Sequence, residues 1–281
     1  MVPIKTKKEL LKKLNNINKS NSLGLVPTMG ALHLGHASLI KRAVAENDFV
    51  VVSIFVNPTQ FNNQEDLLKY PKTLTEDIDL IKKIASDIIV FAPTVADIYN
   101  NTTESNTYAF NGLEKVMEGA FRPGHFNGVG TIVEALFRLI EPERAYFGEK
   151  DFQQLRIIQK LTEIQRLPVQ IVGCPIVREP HGLAMSSRNE RLDPKVRKKA
   201  SFIYDTLLSA KQKFGMDNAF KIKEWVTQEF NENTDFELEY FEITDVATLT
   251  PIQQKIENTK YRAFIAVFAD NIRLIDNIAL N

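Results

Sequence analysis

One cysteine, one tryptophan and four histidines in 281 residues leave few groups for redox or metal chemistry. Cys174 has no partner for an intrachain disulfide, and its place in the apolar run 169–177 reads as an inert buried thiol. Net charge is absent as well. The 35 basic and 35 acidic side chains cancel, so the chain lacks the broad positive field that nucleic acid or an anionic membrane demands, and neither partner is expected. No apolar run approaches the roughly 20 residues of a membrane span. Lys5, Lys7, Lys8, Lys12 and Lys13 interrupt the start, where a secretory signal needs an apolar stretch. The expected compartment is a reducing cytoplasm. Internal repeats and low-complexity tracts are missing too.

What is present is an alternation of short β-branched runs with helical stretches. Leu23 to Val26, Phe49 to Val56, Asp87 to Phe91, Ala145 to Phe147 and Val169 to Val172 read as strands buried on both faces. Between them His36, Leu39, Ile40, Ala43 and Val44 keep the spacing of a helix with one apolar face, as do Ile78, Ile81 and Ile84, then Ile132, Leu136 and Leu139, then Leu155, Ile158 and Leu161. Strand then helix, repeated, predicts an α/β fold with a Rossmann-like, doubly wound parallel sheet, whose ligands sit beyond the carboxyl ends of the strands. After about Val177 the pattern changes. A helix from Lys195 to Phe214, another from Ala219 to Phe230, and alternating runs Phe236 to Ile243, Tyr261 to Phe268 and Ile272 to Ile275, with a turn at Asp270-Asn271, predict a smaller α+β domain. The expected boundaries are 1–176 and 177–281.

The richest segment is His33-Leu34-Gly35-His36, set between the apolar stretch 23–27 and the amphipathic run 37–45. Where a strand hands over to a helix, unpaired N–H groups and the positive end of the helix dipole favour an anion such as phosphate. Two imidazoles add donors there. A zinc pair or a plain helix cap are the alternatives, and zinc lacks a third ligand at suitable spacing. Gly30 and Gly35 let backbone approach a ligand closely.

Four further segments carry chemistry. In Asn57-Pro58-Thr59-Gln60, Pro58 ends a strand, which would display the amides of Asn57 and Gln60 at the sheet edge for a hydroxyl- and carboxylate-bearing substrate; a turn-forming Asn-Pro is the alternative. From Arg122 to Gly130 the glycines either cradle phosphate while His125 faces a ligand, or form a flexible loop. In Gly148-Glu149-Lys150-Asp151, Lys150 is a point charge suited to phosphate, and Asp151 either accepts from ribose or caps a helix. In the loop 182–189, Ser186 and Ser187 beside Arg188 make an anion clamp on a possible hinge. His181 reads as a solvated loop histidine.

In this order and spacing, PTMGALHLGHASL, FVNPTQF, YPKT, RPGHFNGV, FGEKDFQQ and GLAMSSRN resemble the pantothenate synthetase (pantoate–β-alanine ligase) family. The resemblance runs from about Leu23 to Asp193; the remainder is similar mainly in size and pattern. More broadly, HLGH and MSSR resemble the HIGH and KMSKS elements of nucleotidylyltransferases and class I aminoacyl-tRNA synthetases, with Ser-Ser-Arg in place of the lysine-bearing loop. Departures are slight. Thr59 stands where a larger residue is usual, Lys72 where arginine is usual, and His181 where an acidic residue is common.

The resemblance implies ATP-dependent ligation of pantoate with β-alanine through a pantoyl adenylate, with release of pyrophosphate and AMP, in the synthesis of pantothenate and coenzyme A. It implies an ATP site lined by Pro27, Thr28, Met29, Gly30, Ala31, Leu32, His33, Leu34, Gly35 and His36, with Gly148, Glu149, Lys150, Asp151, Val177, Met185, Ser186, Ser187 and Arg188. His33, His36, Lys150 and Arg188 would be catalytic on the phosphates, with His36 as proton donor to the departing group. Gly148 and Asp151 would hold ribose, and Val177 and Met185 would border adenine. Gln60, Gln154, Asn57 and His125 would bind pantoate and β-alanine. Mg²⁺ would sit mostly on phosphate oxygens with Asp77 nearby. A homodimer through the first domain is implied, with the first domain binding ATP and pantoate and the second acting as a lid. Alternatives are a nucleotidylyltransferase that leaves its nucleotide on the product, and a nucleotide-binding regulatory module without chemistry. A synthetase acting on tRNA is disfavoured by neutral charge.

Overall fold

The computed structural model describes residues 1–99 and 103–281. The chain divides into two compact units, Met1–Glu149 with Gln153–Pro175, and Lys150–Phe152 with Ile176–Asn281.

In the first unit the β-branched runs form five parallel strands: β1 (Leu23–Thr28), β2 (Phe49–Ile54), β3 (Ile89–Phe91), β4 (Arg144–Gly148) and β5 (Gln170–Cys174), in the order β3-β2-β1-β4-β5. Helices cover such a sheet on both faces, so its inner strands are mostly apolar; β2 is buried from Val50 to Ile54, whereas the edge strand β5, expected to be buried on both faces, is buried only at Val172 and Cys174. Ala37, Leu39, Ile40 and Ala43 of the helix Leu34–Glu46 are buried, and Leu39, Ile40 and Ala43 pack with Val26, Val50, Val52 and Ile81. Cys174 is buried, which pushes its thiol pKa up, in keeping with an inert thiol. The strand order reverses between β1 and β4. Open α/β sheets bind ligands beyond the carboxyl ends at such a reversal, which here are Thr28 and Gly148.

The second unit carries an antiparallel sheet, β6 (Phe236–Asp245), β7 (Tyr261–Ala269) and β8 (Ile272–Ala279), in the order β6-β7-β8. The helices Ser201–Phe214 and Ala219–Asn231 bury Ile203, Leu207, Ala210, Phe214, Ile222, Val226 and Phe230 against Phe241, Ala263, Ile265 and Val267. Asp270 and Asn271 both take positive φ, 49° and 60°, as a tight hairpin turn requires. β8 runs four residues past the expected Ile275, through the buried polar pair Asp276 and Asn277.

The helix expected over Lys195 to Phe214 is two helices, Pro194–Lys199 and Ser201–Phe214. In an unbroken helix the carbonyl of Arg197 would accept from Ser201. It accepts instead from the N–H of Ala200 at 3.2 Å and from Nε2 of His181 at 2.9 Å. Among the described residues, no helix is long and apolar enough to cross a membrane.

The helix His125–Ile140 starts against the 58–60 turn so closely that a Cβ on Gly128 would stand 2.3 Å from the carbonyl oxygen of Thr59. Gly128 thus serves close packing and not a phosphate cradle, and Gly130, facing Tyr108 and Phe110, does the same. Gly128→Ala is expected to destabilise the fold by about 1–3 kcal/mol, the range for overpacking. Thermal melting checks this, and an unchanged melting temperature would show that the helix shifts freely.

Candidate active site

The first unit's candidate residues begin where β1 ends. Thr28 Oγ1 donates to the Ser53 carbonyl at 2.8 Å and accepts from the Gly30 N–H at 3.2 Å. The backbone then passes through positive φ at Gly30 (82°) and Ala31 (50°). Asp77, buried on the helix Leu74–Lys82, holds this turn: its carboxylate accepts from the N–H groups of Ala31 at 3.1 Å and Leu32 at 2.7 Å, and from Thr73 Oγ1 at 3.2 Å. Burial raises the Asp77 pKa, while the bonds from Leu32, Thr73 and Ala31 work the other way by favouring the ionised form. A side chain at Gly30 would meet the same carboxylate at 3.0 Å.

His33 is the N-cap of the helix Leu34–Glu46. Its Nδ1 accepts from the Gly35 N–H at 3.1 Å, and its own N–H donates to Nδ1 of His36 at 3.3 Å, a capping box built from two imidazoles. The ring centroids are 4.1 Å apart. With each Nδ1 accepting, the proton of each neutral ring belongs on Nε2. The cap and the anion site are therefore compatible, because capping uses Nδ1 and makes Nε2–H the donor edge.

The amides expected at the sheet edge are buried, Asn57 at 1% and Gln60 at 9% exposure. Asn57 Oδ1 accepts from the Tyr99 hydroxyl at 2.5 Å and Thr59 Oγ1 at 3.0 Å, while its Nδ2 donates to the Gly128 carbonyl at 3.1 Å and to Gln60 Oε1 at 3.1 Å. A carbonyl can only accept, so the orientation of Asn57 is fixed, and Asn57 in turn fixes Gln60 with its NH₂ 2.7 Å from the sulfur of Met29. Tyr99, whose pKa is raised by burial, escaped the sequence reading because an aromatic beside Ile98 looks like core. His125 is buried too: its Nδ1 donates to the Gln60 carbonyl at 2.8 Å, and Arg122 donates to the same oxygen at 3.2 Å. His125 thus braces the turn that carries Gln60. Gln153 anchors the 113–118 segment through the carbonyls of Leu113 and Val116 at 2.8 Å each and the N–H of Glu118 at 3.0 Å; the adjacent Gln154 is half-buried, as are Gly148 and Glu149 at the end of β4.

In the second unit, Lys150 Nζ lies 3.5 Å from Asp151 Oδ1. Residues 177–185 form a narrow hairpin, with the Val177 carbonyl accepting from Met185 N–H at 2.9 Å and the Leu183 carbonyl from Glu179 N–H at 2.8 Å. Ser186 Oγ accepts from the Arg188 N–H at 3.3 Å and so caps the turn Ser187–Arg191. Asn189, 1% exposed, ties this turn to the hairpin through the Ala184 carbonyl at 3.0 Å and Glu179 Oε1 at 2.8 Å. Glu179 also pairs with Arg197 at 3.0 Å. His181, expected to be solvated, is instead half-buried in this cluster, with Nε2 on the Arg197 carbonyl at 2.9 Å and Nδ1 3.8 Å from Glu179. A sequence offers no sign that residues 16 apart will meet.

A parallel sheet with a reversal point, and a capped imidazole pair where its central strand enters a helix, is the layout in which α/β enzymes bind anionic ligands. Comparison with known proteins narrows this. The family model described as pantoate-β-alanine ligase matches residues 3–279. The pantothenate synthetase of Christiangramia forsetii is 58% identical over 260 residues, covering 92% of each chain. The crystal structure of pantothenate synthetase from Thermus thermophilus matches with a TM-score of 0.90 at 38% identity, covering 100% of this chain and 99% of the other. That of pantoate-β-alanine ligase from Francisella tularensis, complexed with βγ-ATP and β-alanine, matches with a TM-score of 0.84 at 37% identity, covering 100% and 98%. The chain belongs to the pantoate-β-alanine ligase family. The match extends through the C-terminal third, beyond the Leu23–Asp193 span that carries the motifs.

The Glu179 carboxyl gives a pH test of the loop's anchoring. Burial pushes its pKa up, but Arg197 and Asn189 outweigh this and hold it below the ordinary 4.5. A depressed folded pKa contributes stability that is complete above the unfolded value and lost as pH falls through the folded one. Glu179→Gln is therefore expected to lose roughly 1.5–3 kcal/mol at pH 7, the range for a hydrogen bond to a charged group. The gap to the parent chain should close in acid below pH 4.5. Denaturant titration measures it, and a gap that widens in acid contradicts the assignment.

Proposed function

We propose that this ligase joins pantoate to β-alanine through a pantoyl adenylate, with ATP as the activating substrate. A carboxylate is a poor acyl donor because its leaving group would be oxide. If a pantoate oxygen attacks the α-phosphorus and the bond to the β-phosphate bridging oxygen breaks, pyrophosphate departs and the acyl oxygen belongs to AMP. The amine of β-alanine then attacks the acyl carbon, the carbon–oxygen bond to AMP breaks, and the amine loses a proton as the amide forms.

The first step brings an anion to an anionic centre, so fixed electrostatic stabilisation has to dominate. The observation that carries this reading is the imidazole capping box, which turns two Nε2–H edges outward at the N-terminus of a helix, where the positive end of the helix dipole also favours anions. In this assignment His33 and His36 contact the phosphates, and His36 delivers a proton to the departing group. Lys150, Ser187 and Arg188 supply the remaining positive charge and donors. Gln60 presents its NH₂ to pantoate, with Gln154 beside the same substrate, and Asn57 and His125 act one layer behind by orienting Gln60. Gly148 and Asp151 serve ribose, Val177 and Met185 adenine. The Francisella relative's complex with βγ-ATP and β-alanine supports ATP and β-alanine as substrates here.

Mg²⁺ does not fit on Asp77. Both of its oxygens already accept from Ala31, Leu32 and Thr73, and its exposure is 2%. Among the described residues no group of three or more His, Cys, Asp or Glu is arranged to hold a metal ion. Mg²⁺ carried on the triphosphate, with retained waters, needs no such cage, and no step above passes through a protein-bound ion. The same family reading supports a cytoplasmic homodimer, which sedimentation would test.

The deciding experiment follows nucleotide products. Pyrophosphate is expected from ATP and pantoate alone, and AMP only once β-alanine is added. A product that keeps its nucleotide, with no AMP even after β-alanine is added, would favour a nucleotidylyltransferase instead, and AMP released without β-alanine would contradict the ligation.

A further inference from the structure

Adjacent residues on a strand point to opposite faces, yet Asp276 and Asn277 of β8 are both buried, at 3% and 1% exposure. Two successive polar side chains inside a sheet are expensive unless each is matched. Asp276 grips Arg178 with both oxygens, Nη1 at 2.6 Å and Nη2 at 3.0 Å, and also accepts from the Asn277 N–H at 2.7 Å. The same Arg178 lies 3.6 Å over the Tyr204 ring and donates to the Gly182 carbonyl at 3.0 Å. Gly182 sits in the hairpin that runs into Ser186-Ser187-Arg188. Asn277 faces another segment. Its Nδ2 donates to the main-chain carbonyl of Lys150 at 2.8 Å, and its Oδ1 accepts from the guanidinium of Arg262. Arg262 in turn lies 3.9 Å over the ring of Phe152, whose ring centroid is 6.1 Å from that of Phe264. These contacts explain why Lys150–Phe152 groups with Ile176–Asn281, although the chain on either side of it belongs to the first unit.

We propose that Asp276 and Asn277 are positioning residues for ATP activation: Asn277 fixes the backbone of Lys150, and Asp276 fixes, through Arg178, the hairpin leading to Ser187 and Arg188. The proposal rests on the reading of those three residues as the phosphate clamp. Its consequence is that the clamp's cations hang from one strand, so their mutual geometry is set inside the second unit. Apolar residues of equal volume could fill a buried ionic site as stably. What the polar pair adds is direction, imposed on two otherwise separate loops by neighbouring positions of β8.

The test separates the two half-reactions. Asn277→Asp keeps the volume but turns an acceptor toward the Lys150 carbonyl, and Asp276→Asn keeps the shape but loses the charge facing Arg178. Each is expected to slow pyrophosphate release in a single turnover by up to about 10²-fold, the scale of a misplaced reacting geometry. KM for pantoate should hold, and amide formation from supplied pantoyl adenylate should keep its rate. Equal slowing of both half-reactions would reveal a merely structural role and overturn the proposal. Should Asn277→Asp fail to fold, Asn277→Ser removes the same donor without a charge beside Asp276. Lys150→Ala, run in parallel, is expected to lose roughly 10²-fold in pyrophosphate release. If it does not, the clamp reading itself fails; if it does while both β8 variants release pyrophosphate normally, only the positioning proposal fails.

Discussion

A loop that leaves a parallel strand and enters a helix must hold successive backbone N–H groups in one orientation without a ladder to pair them. In this chain a single buried carboxylate meets that constraint. Asp77 takes the N–H groups of Ala31 and Leu32, the two residues before the His33 cap, and so sets the direction from which the helix Leu34–Glu46 begins. Burial raises the pKa of Asp77 by disfavouring its charged form, and the bonds it receives make that burial tolerable. Every role given to His33 and His36 presumes this turn, since imidazoles on a mobile loop would have to be ordered anew at each turnover.

The same logic, one polar group orienting the next, recurs around Gln60. An amide can point either its oxygen or its nitrogen at a substrate, and the two edges have opposite preferences for a carboxylate. The chain from Tyr99 through Asn57 to Gln60 resolves that ambiguity, because it starts from a hydroxyl donor and is locked by the Gly128 carbonyl. Gly128 itself is required for the helix to come close enough to supply that carbonyl. A backbone packing demand and a substrate-facing donor are thus one piece of structure.

These linkages mark the limit of what the sequence discloses. The parallel sheet and its flanking helices were legible because burial on both faces leaves continuous β-branched runs such as Val50-Val51-Val52, and amphipathic helices leave a period. The candidate segments were legible because glycine, histidine and proline cluster at the strand ends. Which member of a segment faces outward was not. Asn57 and His125 carry the residue types of a binding site but point into the fold, and Asp77 looks like a surface acid because the N–H groups it accepts from lie 45 and 46 residues away in the chain. The break at Ala200 was hidden likewise, since it depends on His181 competing for the Arg197 carbonyl. β8 read short because Asp276-Asn277 resembles a turn until the partners Arg178 and Lys150 are known.

Net charge is a poor guide to such a site for a related reason. With 35 charges of each sign, the chain exerts no long-range pull on a nucleotide, and exposed charges are screened within about 10 Å in salt. Stabilising a phosphoryl transition state depends on donors already aimed and partly dehydrated before the reaction, where water need not reorganise. Lys150 and Arg188 are half-buried, and each lies next to a segment anchored by neutral or paired groups: Asn277 for one, Ser186 and Asn189 for the other. In the clamp proposed above, a globally neutral protein would concentrate positive potential in one place, with its uncharged residues holding the few cations still.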